Sequence, residues 1–218
     1  MTRDALAAAV RTALERCCPG SSARLRGSLA AGTADRFSDI DVCWVVPDDA
    51  FPACLTAGAA ALARVRPVEQ VRCDPDFLHS DRRRLLFVRF AGVPLFWRLD
   101  LDVRAASVAD EPDYDTGNPA ARADDSEWSR PASALANAVA AVKALARGRP
   151  DTAHALIARA FTRLGLPHPA TGDPYLDIYR LAAAATRQDA TLAPLAARVT
   201  ALADLHNGPQ DRSSSPTT

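Results

Sequence analysis

Two aspartates spaced by two, Asp39 and Asp41, lead into the apolar run Val42 to Val46. On an extended strand residues i and i+2 point to one face, so this spacing sets two carboxylates side by side. Like charges at that distance repel, and a divalent cation is the usual reason to build such a pair. Gly27-Ser28, separated from Asp39 by ten residues, ends a short predicted strand over Ala23 to Leu25. It can open a helical turn whose free backbone N–H groups receive phosphate oxygens. Phosphate and metal would then meet at one place.

A second acidic pair, Asp100 and Asp102, lies in a run read as a strand from Val93 to Val103. Phe96, Arg98, Asp100 and Asp102 share one of its faces, and Trp97, Leu99, Leu101 and Val103 the other. Only one of the two acids can stand level with Asp39 and Asp41, because the other sits about 7 Å further along. Spacing alone does not say which.

The pattern Gly-Ser-x-Ala-x-Gly-Thr-x-x-x-Phe-Ser-Asp-Ile-Asp, residues 27–41, resembles the signature of the nucleotidyltransferase superfamily typified by DNA polymerase beta. It is most similar to the antibiotic-modifying, kanamycin-type branch. In that branch an aromatic, a basic and an aliphatic residue precede the third metal-binding acid, as in Trp97-Arg98-Leu99-Asp100. The resemblance implies two Mg2+ ions held by Asp39, Asp41 and Asp100, with ATP or another NTP as co-substrate. Gly27, Ser28 and Ser38 then belong to the nucleotide site. Lys143, the only lysine of the chain, matches the lysine that relatives bring onto the phosphates from a helical domain. Their glutamate base corresponds to Val139 here, so the base is open; Asp102, at the cleft edge, and Asp124, Asp125 or Glu127 are the candidates.

The expected reaction transfers a nucleoside monophosphate, AMP from ATP in the first place, to a hydroxyl of a small molecule such as an aminoglycoside antibiotic, releasing pyrophosphate. The alternative is a nucleotidyltransferase of toxin-antitoxin type that modifies or binds a partner protein. With 26 basic and 26 acidic residues in 218, no global field draws the chain to nucleic acid or to a membrane surface. Five cysteines, odd in number and without a Cys-x-x-Cys pair, read as reduced and point to a cytoplasmic protein. The first ten residues contain Arg3 and Asp4 and lack the apolar core of a signal peptide.

The elements that must position these residues follow from periodicity. Leu6, Val10 and Leu14 predict a helix over Thr2 to Cys18, and Phe51, Cys54, Leu55, Ala61 and Leu62 a second one after Pro47. A short strand is predicted in Val68 to Cys73, and Arg84 to Phe90 is expected to pair with Val93 to Val103 as a hairpin turning at Ala91-Gly92. The expected fold class is α+β: a small mixed β-sheet catalytic domain with flanking helices (1–104), an acidic loop or linker (105–129), a C-terminal α-helical bundle (130–207) and a disordered tail (208–218). Phe161, Leu164, Tyr175, Leu176, Ile178, Tyr179 and Leu181 are the expected bundle core.

Overall fold

The structure, a computed structural model, describes residues 1–167 and 171–207; the predicted tail lies outside them. The chain forms two compact units, Met1–Trp128 and Ser129–Thr218. The architecture is the α+β arrangement expected, with the sheet first and helices after it.

The first unit is a five-stranded mixed sheet in the order β1-β2-β5-β4-β3. Its strands are β1 (Ser22–Leu25), β2 (Ile40–Val46), β3 (Val68–Cys73), β4 (Arg83–Phe90) and β5 (Leu99–Ala105). Only β2 and β5 run parallel. The alternation of β2 and β5 splits them by face. Ile40, Val42, Trp44 and Val46, with Leu99, Leu101, Val103 and Ala105, are all buried on one side. The helices α1 (Arg3–Cys17) and α3 (Phe51–Val65) cover that side with Leu6, Val10, Leu14, Phe51 and Leu62. Thr2 caps α1 by accepting from the Ala5 N–H. Gly58 in mid-α3 has a packing reason: a Cβ there would lie 2.7 Å from the Trp44 ring, so the glycine lets helix and sheet close on one another.

Three expectations need correction. The run 93–103 is not one strand. Gly92, at φ +65°, and a turn closed by Trp97 N–H on the Pro94 carbonyl make 91–98 an irregular connection, and β5 begins only at Leu99. The cysteines are not all reduced: Cys18 and Cys54 form a disulfide, because α1 and α3 pack side by side and bring their Cα atoms to 5.9 Å. Cys17, Cys43 and Cys73 are free thiols, and the step from cysteine count to a reducing compartment lapses. Finally, Leu176 is 46% exposed and stands outside the bundle core.

The second unit contains α4 (Arg130–Ala146), α5 (Pro150–Arg163), α6 (Pro174–Gln188) and α7 (Ala193–Asn207), with α4 packed on the other three. Ser129 and Asp173 cap α4 and α6. Phe161, Leu164, Ile178 and Leu181 are buried in it, while Tyr175 and Tyr179 keep their hydroxyls on the His206 carbonyl and Asp204. Among the described residues no helix is long and apolar enough to cross a membrane.

Candidate active site

The sheet face opposite α1 and α3 is polar. On it β2 presents Asp41 and Cys43, and β5 presents Asp100, Asp102 and Arg104. Parallel pairing sets Asp41 beside Asp100 and Cys43 beside Asp102. Asp100 is therefore the acid level with Asp41, and Asp102 lies one inward-facing position further along the strand.

Asp41 is seated by the turn that precedes α2 (Gly27–Ala30). Arg26 N–H donates to the Asp41 carbonyl at 2.9 Å, which docks the end of β1 onto β2. Gly27 follows at φ +57°, and a Cβ on it would lie 2.3 Å from Asp41 Oδ2. The glycine is thus required twice, for its left-handed backbone and for the room it leaves the carboxylate. Ser28 is half-buried beside it.

Asp39 stands at the mouth of β2, at the end of a tightly held loop. Ser38 is 1% exposed, and its hydroxyl donates to Asp35 Oδ1 while accepting from the Asp35 N–H. Arg3 of α1 donates to the carbonyls of Asp35 and Ser38. The Ser38 hydroxyl thus serves the turn that aims Asp39.

Asp100 is gripped by Arg98, whose Nε and Nη2 donate to its two oxygens at 2.5 and 2.6 Å. The same guanidinium lies 4.6 Å over the Phe87 ring. Burial works against the Arg98 charge, but the bonds to Asp100 and the fields of Asp100, Asp39 and Asp41 outweigh it and hold the group above its ordinary value. A cationic group already stands among the three carboxylates. Among the described residues no three acidic, His or Cys side chains converge as a ligand set.

Asp102 is not at an open edge. It is 6% exposed, accepting from Arg83 Nε on Oδ1 at 3.2 Å and from Arg26 Nη1 and Arg104 Nε on Oδ2 at 3.0 and 2.9 Å. Both oxygens are taken, so an acceptor hydroxyl has none to approach. Arg83 and Arg104 reach on to the carbonyls of Glu111, Pro112 and Tyr114, which fastens the segment after β5 to the first unit. That segment, expected as an acidic loop or linker, carries two short 3-10 turns, Ala106–Val108 and Pro119–Ala121.

Within the same segment Glu127 accepts from the Asp124 N–H at 2.7 Å and pairs with His79 at 2.7 Å. These bonds, the backbone one foremost, hold its carboxyl below the ordinary value. Lys143 is half-buried in the last turn of α4, in the second unit. The arginines around Asp102 escaped the sequence reading; the one signal was Arg24, Arg26, Arg98 and Arg104 falling at the same i, i+2 phase as the acids.

Comparison with known proteins bears on this geometry. Residues 8–79 match the nucleotidyltransferase domain family, which takes in most of α1, the Gly27-Ser28 turn and the Asp39/Asp41 strand and ends before β5. No curated protein shows significant similarity to the chain. A chain in the structure of the GLD-2/RNP-8 complex is similar over 80% of this chain at 18% identity and a TM-score of 0.36, and this chain spans 60% of that one. The glycine turn, Asp39 and Asp41 thus lie in the segment that matches the nucleotidyltransferase domain family.

Proposed function

We propose that the protein transfers a nucleoside monophosphate from an Mg2+-bound NTP, ATP in the first place, to a hydroxyl of a small molecule, releasing pyrophosphate. The observation that carries this reading is the level pairing of Asp41 with Asp100 beside a glycine that makes room for the Asp41 carboxylate. The donor types suit a divalent cation, which would take Asp100 only as Arg98 releases it. Asp39, Asp41 and Asp100 offer hard oxygens, and a cationic guanidinium already sits among them.

In this reading Asp39, Asp41 and Asp100 hold the metal, which when bound neutralises the triphosphate and favours ionisation of the attacking hydroxyl. Backbone N–H groups of Gly27 and Ser28 receive the terminal phosphates. The acceptor oxygen forms its bond to the α-phosphorus as the bond to pyrophosphate breaks, and the hydroxyl proton passes to solvent or to a carboxylate of the Asp39/Asp41/Asp100 row. The chain's own contribution is placement and a fixed electrostatic field.

Incubating the full chain with each NTP, Mg2+ and a panel of aminoglycosides, lincosamides and nucleoside-like hydroxyl compounds tests this, with pyrophosphate as the readout. Pyrophosphate release that depends on one acceptor is the expected result. No pyrophosphate release with any compound of the panel, together with transfer of label from a labelled NTP to an added protein, would favour the partner-modifying alternative.

A further inference from the structure

Alongside the carboxylate row, on the same polar face, lies a cavity of about 310 Å3. Cys43 forms part of its floor, one inward-facing position beyond Asp41. Arg24, Arg26 and Arg104 line it, with Asp110 and Pro112 on the far wall. The wall is held in place, since Arg104 donates to the carbonyls of Glu111 and Pro112 and Arg83 also holds Pro112.

The charges at this place do not balance. Arg26, Arg83 and Arg104 all share one carboxylate, Asp102. Arg24 is exposed and has no carboxylate partner among the described residues. Three guanidinium groups, Arg24, Arg26 and Arg104, and one carboxylate, Asp110, line the cavity, an excess of two positive charges around a concave space. Guanidinium groups crowded in this way repel one another, and an anion in the cavity relieves the repulsion. Planar forks suit the oxygens of a phosphate, which they bind in paired hydrogen bonds.

We infer that this cavity is an anion subsite for a phosphate group, contiguous with the Asp41/Asp100 row and built by Arg24, Arg26 and Arg104. The strand rise places the Cys43 level about 7 Å from the Asp41 level, a span that one ligand can bridge. The subsite takes a phosphate carried by the acceptor; this rests on the proposed function, in which the Gly27–Ser28 turn holds the phosphates of the nucleotide.

The test uses the full chain in metal-free buffer at constant ionic strength, titrated with inorganic phosphate and with pyrophosphate against a chloride control. Calorimetry and melting temperature are the readouts. Both anions should bind and raise the melting temperature beyond chloride, and binding should weaken at least tenfold in Arg24→Glu and severalfold in Arg24→Ala. Arg24 is exposed and bonds to no other side chain, so both variants should keep the wild-type circular dichroism. Phosphate should bind together with Mg-ATP, whereas competition between the two would place the anion in the nucleotide's own site and overturn the inference. No binding beyond chloride by the wild type, or unchanged binding in both Arg24 variants, overturns it.

Discussion

Gly27 and Asp41 are fitted to each other: the glycine's missing Cβ is the space in which Asp41 Oδ2 rests, 2.3 Å from where that carbon would be. Gly27→Ala must move the carboxylate or the turn, and it places a Cβ in the left-handed region, at a cost of roughly 1–2 kcal/mol. The expected outcome is a folded protein with a modest loss in urea stability and a fall in nucleotide-dependent activity of about a hundredfold, as for an ångström-scale misplacement. Gly32, also left-handed but with nothing within 4 Å of where a Cβ would lie, is the control: Gly32→Ala should cost similar stability and little activity.

If Asp100 holds a divalent cation, as proposed, Arg98 competes with that cation for it. Replacing Arg98 by Met removes the bidentate pair, which is mostly shielded from solvent, and should destabilise the metal-free protein by about 1–2 kcal/mol. Titration calorimetry with Mn2+ should show tighter binding in Arg98→Met than in wild type. Weaker Mn2+ binding would mean that Arg98 organises the carboxylates rather than occupying their cation position.

Asp102 and Asp41 should part company on mutation. Asp102→Asn leaves three arginines facing a neutral amide in a buried place and is expected to cost about 3 kcal/mol or more of unfolding free energy. Asp41→Asn relieves repulsion and should leave the metal-free fold as stable as wild type. Urea unfolding of both variants without metal checks the contrast.

The thiols give an independent check on the fold. Protein unfolded in guanidinium without reductant should titrate three thiols, from Cys17, Cys43 and Cys73, and five after reduction. The Cys18–Cys54 bond closes a span of 36 residues, so its removal should lower stability by about 2–4 kcal/mol. Burial first, and then the charge of Asp74, push the Cys73 thiol up to about 11 against the opposing pull of Arg84. Native alkylation of Cys73 should therefore be slow at pH 8 and quicken about tenfold per pH unit toward that value.

What the sequence made legible was what periodicity and capping control. Leu6, Val10 and Leu14 mark α1, and the alternation of Leu99, Leu101 and Val103 with Asp100 and Asp102 marks β5 and its two faces. The motif from Gly27 to Asp41 lies within the residues that match the nucleotidyltransferase domain family. What stayed hidden depends on register and on contacts far apart in the chain. Choosing between Asp100 and Asp102 needs the β2–β5 pairing, and Arg26 meets Asp102 across 76 residues. The disulfide was hidden for the same reason, since only the packing of α1 on α3 brings Cys18 to Cys54. The start of β5 was misread because Val93, Leu95 and Trp97 keep a strand-like alternation through a connection that Gly92 and Pro94 bend away.

The central claim is that the Asp39, Asp41 and Asp100 row binds a nucleotide through a divalent cation. Its most direct test is the melting temperature of wild type and Asp41→Asn with buffer, Mg2+, ATP, and Mg2+ with ATP. Wild type should be stabilised by Mg2+ and ATP together well beyond either alone, because a ligand bound only to the folded state raises its apparent stability. Asp41→Asn should match wild type in buffer and lose that joint increment. Equal melting temperatures for wild type with and without saturating Mg2+ and ATP, or an undiminished increment in Asp41→Asn, would contradict the account.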